Sequence, residues 1–199
     1  GDWENPYTTM SFDAESVIVK EFFKFVENGS LYRGSKPVMW STVEKTALAE
    51  AEIEYKEHKS TTIFVKFPVL ESSDVDLKGS SVVIWTTTPW TIPGNRAIAY
   101  SKNIRYSLFE INETEENSHL KIEDRIIIAQ DLEESFKEQC RVKSITKIKN
   151  IENLEGFICS HPFAKSGYDF EIKLYEADFV TLEQGTGFVH IAPGHGADD

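Results

Sequence analysis

Between positions 12 and 27, Val17, Ile18, Phe22, Phe25 and Val26 are spaced so that a helix brings them to one face. Asp13 is placed to cap its start, and Asn28-Gly29 offers a left-handed stop. Lys36-Pro37-Val38-Met39-Trp40 reads as a short extended stretch, 46–50 as one helical turn, and 52–55 alternates. Beyond this point the period becomes two. The runs TTIFVKF (61–67) and SVVIW (81–85), rich in β-branched and aromatic residues, predict strands central to a sheet. Further strands are expected at 96–100, 105–111, 125–129, 142–148, 171–175 and 187–191, separated by polar turns. Asp131-Leu132-Glu133-Glu134 has the spacing of a capping box, with aspartate in the serine position, and opens a helix to about Cys140. The acidic stretch 112–118 reads as a solvated loop tip. The expected class is α+β, mainly β: a closed or nearly closed barrel with a few peripheral helices. The division expected is a helix-containing connection at 1–45 and a barrel core at 46–199.

Composition narrows the functions such a fold would carry. With 199 residues, 40% of them hydrophobic, the chain suits one compact domain with a smaller appendage. No apolar run approaches the roughly 20 residues a membrane span needs, and Gly1-Asp2-Trp3-Glu4 lacks the features of a signal peptide. The expectation is a soluble, cytoplasmic monomer with no membrane partner. Cys140 and Cys159 stand apart, without the spacing of a metal site, and read as reduced core thiols. A net charge of −12 argues against extended binding to a nucleic-acid duplex. It leaves room for gripping one nucleotide end, which needs a shaped pocket more than a basic field.

Two segments crowd polar groups among turn residues. In WTTTPWTIPGNRAI (85–98) an apolar strand runs into three threonines and two prolines. Alternation puts Thr86 and Thr88 on one face and Thr87 on the other, so all three reach one pocket only if the strand twists or breaks. Threonine also favours strands for its own sake, which leaves a purely structural reading open. In GTGFVHIAPGHGADD (185–199) a strand leaves a glycine turn and ends in a loop. His190, His195, Asp198 and Asp199 are residue types that bind zinc or iron, but their spacing is not specific for a metal, and packed histidines at strand ends are common.

Together these two segments resemble the signatures of the editing insertion of isoleucyl-tRNA synthetases, within the class I aminoacyl-tRNA synthetases. GDWENPYTTM (1–10) and KPVMWSTVEKTALAEAEIEY (36–55) resemble that insertion's opening blocks, in the same order. Trp85 and Trp90 set the motif apart from the valyl and leucyl enzymes, whose threonine motif carries an arginine. One departure is the stretch Ser41-Thr42-Val43-Glu44, which lacks the paired cysteines many bacterial members carry after the residue matching Trp40. No zinc site is expected there.

The resemblance implies a barrel of the class I editing type, joined through 1–45 to a catalytic domain. The nucleotide-binding motifs of that domain are absent, as is an initiator methionine, so the chain is expected to be a piece that edits and does not aminoacylate. No cofactor or metal is expected here; ATP and magnesium belong to the parent's catalytic domain. The implied partners are the 3′ end of the isoleucine tRNA carrying valine and the rest of the parent chain. The implied reaction is hydrolysis of the mischarged ester by water. The implied catalytic residues are Thr86, Thr87, Thr88 and Asp199, the last receiving the substrate ammonium. The implied substrate-binding residues are Trp85, Trp90, Thr91, Asn95, Gly187, Asp198 and His190. His190 would act as the wall that limits side-chain size, its imidazole also being capable of acting as a base. Asp199 is the last residue of the sequence, so fraying is expected to weaken it and a longer chain to be more active. A non-catalytic module that binds the tRNA end and a metal-dependent hydrolase are the alternative functions.

Overall fold

A computed structural model describes residues 1–35, 38–196 and 199. They form two compact units, Gly1–Glu54 and Tyr55–Asp199. In the first, helix α1 spans Phe12–Glu27, and strand β1 (Trp40–Ser41) pairs antiparallel with β2 (Thr46–Ala47). Ser11, not Asp13, caps α1: its backbone is extended and its Oγ accepts from the Ala14 amide at 3.3 Å. Asp13 lies in the first turn instead, where its charge faces the positive end of the helix. Gly29, at φ 76°, supplies the expected stop. The helical turn expected at 46–50 is displaced: Thr46 and Ala47 are strand, and a 3-10 turn follows at Glu50–Glu52. The alternating stretch 52–55 forms no strand. Of the extended stretch 36–40, Lys36 and Pro37 lie outside the described residues.

The second unit is built on nine strands in one sheet. In chain order they are β3 (Ile63–Glu71), β4 (Ser81–Thr86), β5 (Ala97–Tyr100), β6 (Tyr106–Thr114), β7 (Arg125–Ala129), β8 (Val142–Ile151), β9 (Ile158–Ser160), β10 (Glu171–Glu176) and β11 (Val189–Ile191). Their spatial order is β11-β5-β10-β9-β3-β4-β7-β6-β8. Strand β3 is the corner. Its first part pairs with β4 from Ile63 to Pro68; beyond a register shift, Val69 and Glu71 pair with β9. Pairings β4–β7 and β5–β10 are parallel and the others antiparallel.

The sheet is not a closed barrel, contrary to what the strand count suggests. Its end strands, β11 and β8, each have one neighbour, β5 and β6 respectively. Closure needs a continuous register around the whole ring. Strand β8 instead slips register three times against β6 and exposes Lys143 and Lys147, the kind of charge that blunts a sheet edge. The same strands overrun their expected ends, so that positions 112–114 of the supposed loop tip belong to β6.

Helix α2 (Glu133–Cys140) ends where expected but starts later. Gln130–Leu132 is a 3-10 turn, Leu132 occupies the cap position without a side-chain bond, and Asp131 pairs with Arg105 at 3.0 Å instead.

Side-chain alternation explains why β4 and β7 read as unbroken apolar runs. Val82, Ile84, Ile127 and Ala129 enter the main core with Phe67, Leu108 and Phe157. The residues between them, Val83, Ile126 and Ile128, point the other way, into a second core with Phe109, Ile111 and Phe136 of α2. Both faces of this part of the sheet are covered, which fixes the end of β4 where the threonines begin.

Candidate functional site

Strand β4 stops at Thr86, and the chain breaks out of the sheet at once. Thr88 takes φ −123°, ψ 67°, and Pro89, with its φ already fixed, opens a 3-10 helix at Pro89–Gly94. The break is what lets all three threonines reach one cavity. Thr86 is buried and its Oγ1 accepts from the Thr88 amide at 3.0 Å and lies 3.1 Å from Thr88 Oγ1. Thr87 is exposed, and among the described residues its hydroxyl has no partner. The 3-10 helix is held from behind by His161, whose Nε2 donates to the Ile92 carbonyl at 3.0 Å while Nδ1 accepts from the Phe163 amide. Stacking on Tyr168 and burial accompany a His161 pKa below the ordinary imidazole value, chiefly from desolvation.

The opposite wall comes from the glycine turn and β11. Gly185 and Gly187 both have positive φ, 85° and 78°. Gly185 lets the turn pass Trp85, whose Cβ would stand 3.3 Å from an added methyl. Gly187 accepts at its carbonyl from the Tyr106 hydroxyl at 2.6 Å, and Tyr106 accepts in turn from the Ser101 amide. Strand β11 then pairs with β5, setting His190 opposite Ile98.

Between these walls lies a cavity of about 520 Å³, within the range of small-molecule sites. Of the residues the sequence motifs singled out, Trp85, Thr86, Thr87, Thr88, Trp90, Thr91, Gly187, His190 and Asp199 line it. Asn95 does not. It is fully buried behind the wall, where its amide donates to Ala97 O at 2.9 Å and meets His190 Nδ1 at 3.2 Å. Asp198 lies outside the described residues. Phe179, Thr181, Glu183 and Gln184 also line the cavity and carry no motif by which the sequence marked them. They precede Gly185, where the chain turns at a positive φ.

His190 Nε2 lies 2.9 Å from Thr91 Oγ1, so both ring nitrogens are engaged within the protein. Burial pushes its pKa below the usual imidazole value; Asp199 opposes this and His195 adds to it. The ring is therefore neutral at pH 7 and presents no free nitrogen lone pair to a water molecule. Asp199 is exposed and accepts from the Ala192 amide through Oδ2 at 3.0 Å, which leaves Oδ1 for a cation. Among the described residues no three His, Cys, Asp or Glu side chains converge as a metal-binding group would require.

A larger hollow of about 940 Å³ lies elsewhere on the sheet, beside Phe64, Phe136 and Cys140. Of the groups lining it, Lys66 pairs with Asp124 at 2.9 Å, and burial pushes the Cys140 thiol up to about 12. Cys159, buried in the main core, is likewise pushed up to about 12, and both cysteines are free thiols. Among the described residues no helix is long and apolar enough to cross a membrane.

Comparison with known proteins agrees with the motifs. The family model described as "tRNA synthetases class I (I, L, M and V)" matches residues 1–186. The isoleucine–tRNA ligase of Pelagibacter ubique is 52% identical over the whole of this chain and 22% of its own length. That of Rhodopseudomonas palustris is 50% identical over the whole chain and 20% of its own length. The chain thus spans about a fifth of these curated relatives. Among solved structures, GlLeuRS-CP1 aligns with a TM-score of 0.48 at 14% identity, over 65% of this chain and 54% of that one. The Plasmodium falciparum cytosolic leucyl-tRNA synthetase editing domain aligns with a TM-score of 0.43 at 13% identity, over 57% and 42% of the two chains. With the family model matching nearly its whole length, and isoleucine–tRNA ligases matching it end to end, the chain belongs to the class I tRNA synthetases (I, L, M and V).

Proposed function

We propose that this chain, as a segment of a longer isoleucine-specific synthetase, hydrolyses valine wrongly esterified to the 3′ terminal adenosine of the isoleucine tRNA. The observation that carries the reading is the convergence on one cavity of three threonines, a neutral buried histidine and a carboxylate with a free oxygen. Valine and isoleucine differ by one methylene, worth only about 1–3 kcal/mol in an apolar pocket, so a second site that admits only the smaller side chain is needed. That double-sieve logic is a general account given for this synthetase family.

An aminoacyl ester already has an activated carbonyl, so a positioned water suffices and no side-chain nucleophile is required. In this reading the Thr87 hydroxyl and the linked Thr86 and Thr88 hydroxyls hold the ester and the water. Asp199 Oδ1 receives the substrate ammonium in a charge-assisted contact. His190 forms the wall against which a longer side chain would clash.

The test is deacylation of matched valyl and isoleucyl esters of the isoleucine tRNA, with and without a chelator. The expected result is cleavage of the valyl ester, sparing of the isoleucyl ester, and no effect of chelation. Equal rates on both esters would sink the reading. Binding without turnover would favour a tRNA-end binding module, and loss of activity on chelation a metal-dependent hydrolase.

A further inference from the structure

The buried side of His190 is wired in one direction only. Asn95 Nδ2 stands 2.9 Å from the Ala97 carbonyl, which can only accept, so that atom is the amide nitrogen and not the amide oxygen. Its second hydrogen points to His190 Nδ1 at 3.2 Å. A proton on Nδ1 would face that hydrogen, so Nδ1 carries the lone pair. The neutral ring then bears its proton on Nε2 and donates it to Thr91 Oγ1 at 2.9 Å. Thr91 passes its own hydroxyl proton to the Thr88 carbonyl at 2.8 Å. Every donor in the chain Asn95, His190, Thr91, Thr88 meets an acceptor. Among the described residues the one group of this chain left over is Asn95 Oδ1, buried without a partner. An orphaned oxygen costs about 1–3 kcal/mol, so the amide is spent on its two donated bonds at the expense of its own acceptor.

We propose that Asn95 is a positioning residue that, with Thr91 of the cavity wall, locks His190 as the Nε2–H tautomer in one orientation, and so holds the ring that limits the size of the cavity. Asn95 touches no substrate in this arrangement; it acts through the ring. The lock also links size selection to the threonines, because the relay ends on the backbone of Thr88, whose side chain faces the cavity. Among the described residues, the charged and titratable groups that bear on His190 are Asp199 and His195; its pairing partner β5 brings Ala97, Ile98 and Ala99 alongside β11. That the locked ring meets the valine side chain rests on the function proposed above. The tautomer itself does not.

Nitrogen-15 NMR of the imidazoles in the wild-type chain, without substrate, reads the lock alone. The expected signature at pH 7 is a neutral ring with a protonated Nε2 and an unprotonated Nδ1. A protonated Nδ1, or rapid averaging of the two forms, overturns the proposal whatever the chain hydrolyses. Asn95→Asp puts a carboxylate where the amide donated, and should move the proton to Nδ1 and raise the His190 pKa. Valyl-ester cleavage by this variant should then fall as pH drops through the raised value, because the charged ring stands near the substrate ammonium. The wild type should stay flat there.

Thr91→Val, which keeps the shape without the hydroxyl, should lower the valyl-to-isoleucyl ratio of kcat/KM about tenfold, the order of one lost hydrogen bond. Thr91→Ser should restore both the ratio and the NMR signature. An unchanged ratio and pH profile in folded Thr91→Val and Asn95→Asp overturns the proposal. If the wild type shows the expected tautomer but cleaves no valyl ester, the proposed function fails and the lock stands.

Discussion

Replacing Gly187 with alanine is expected to destabilise the second unit by about 2–5 kcal/mol, from about 1–2 kcal/mol for a side chain at positive φ plus about 1–3 kcal/mol for overpacking. The backbone there has φ 78°, and an added Cβ would stand 2.5 Å from the Ala129 Cβ, closer than two carbons can approach. Relief would require β11 or β7 to move, and either shift pulls the Gly187 carbonyl from the Tyr106 hydroxyl. Gly194→Ala is the control: φ is 86°, but among the described residues no atom lies within 4 Å of the added methyl, so the backbone strain is what is felt. Urea denaturation of the two variants measures the difference. If Gly187→Ala is no less stable than Gly194→Ala, the close approach of the glycine turn to Ala129 is wrong. Because domains are stable by only about 5–15 kcal/mol, the upper end of the range would leave much of the Gly187→Ala chain unfolded at 37 °C.

The parts of this molecule that were legible in the sequence are those fixed by local chemistry. SVVIW and RIIIA announce strands because alternating residues enter two cores, and α1 announces itself by the spacing of one apolar face. Strand β9 escaped because three residues, Ile158–Ser160, are too few to show a period. Barrel closure was misjudged because a strand count says nothing about which edges meet; the exposed lysines of β8 were the better sign. The caps of both helices shifted for a similar reason. Ser11 and Asp13 are both good caps on paper, and the choice went to the residue whose backbone was extended; Asp131 was drawn to Arg105 by the tertiary fold.

At the site, the threonine motif and the 185–199 segment were readable as chemistry, but not the division of labour within them. Asn95 sits next to Arg96 in a polar loop and looks like a pocket residue. Only the register of β5 against β11, which sets Ile98 beside His190, turns it inward to the ring. Thr87 is the reverse case. Alternation turns it away from the cavity, and only the break after β4 brings it in beside Thr86 and Thr88. Glu183 and Gln184 had no local signal at all, since their place in the lining depends on how the Gly185 turn passes Trp85.

Asp199→Ala is expected to lower kcat/KM for the valyl ester roughly tenfold to a hundredfold, the equivalent of about 1.5–3 kcal/mol for a hydrogen bond to a charged group. Two effects have to be separated, because Asp199 also holds the 192–199 loop through Oδ2 and the Ala192 amide. Asp199→Asn keeps an oxygen for that amide and loses only the charge. If the carboxylate serves the substrate ammonium, the asparagine variant should be nearly as poor as the alanine one. If it serves only the loop, asparagine should restore most of the activity. A valyl analogue with a hydroxyl in place of the α-amine completes the comparison: the wild type should lose its advantage on that ester, and the Asp199→Asn chain should cleave it about as well as the wild type does, because neither has an ammonium to hold. Wild-type rates on the natural ester from both variants, with the fold intact, would remove Asp199 from the site altogether.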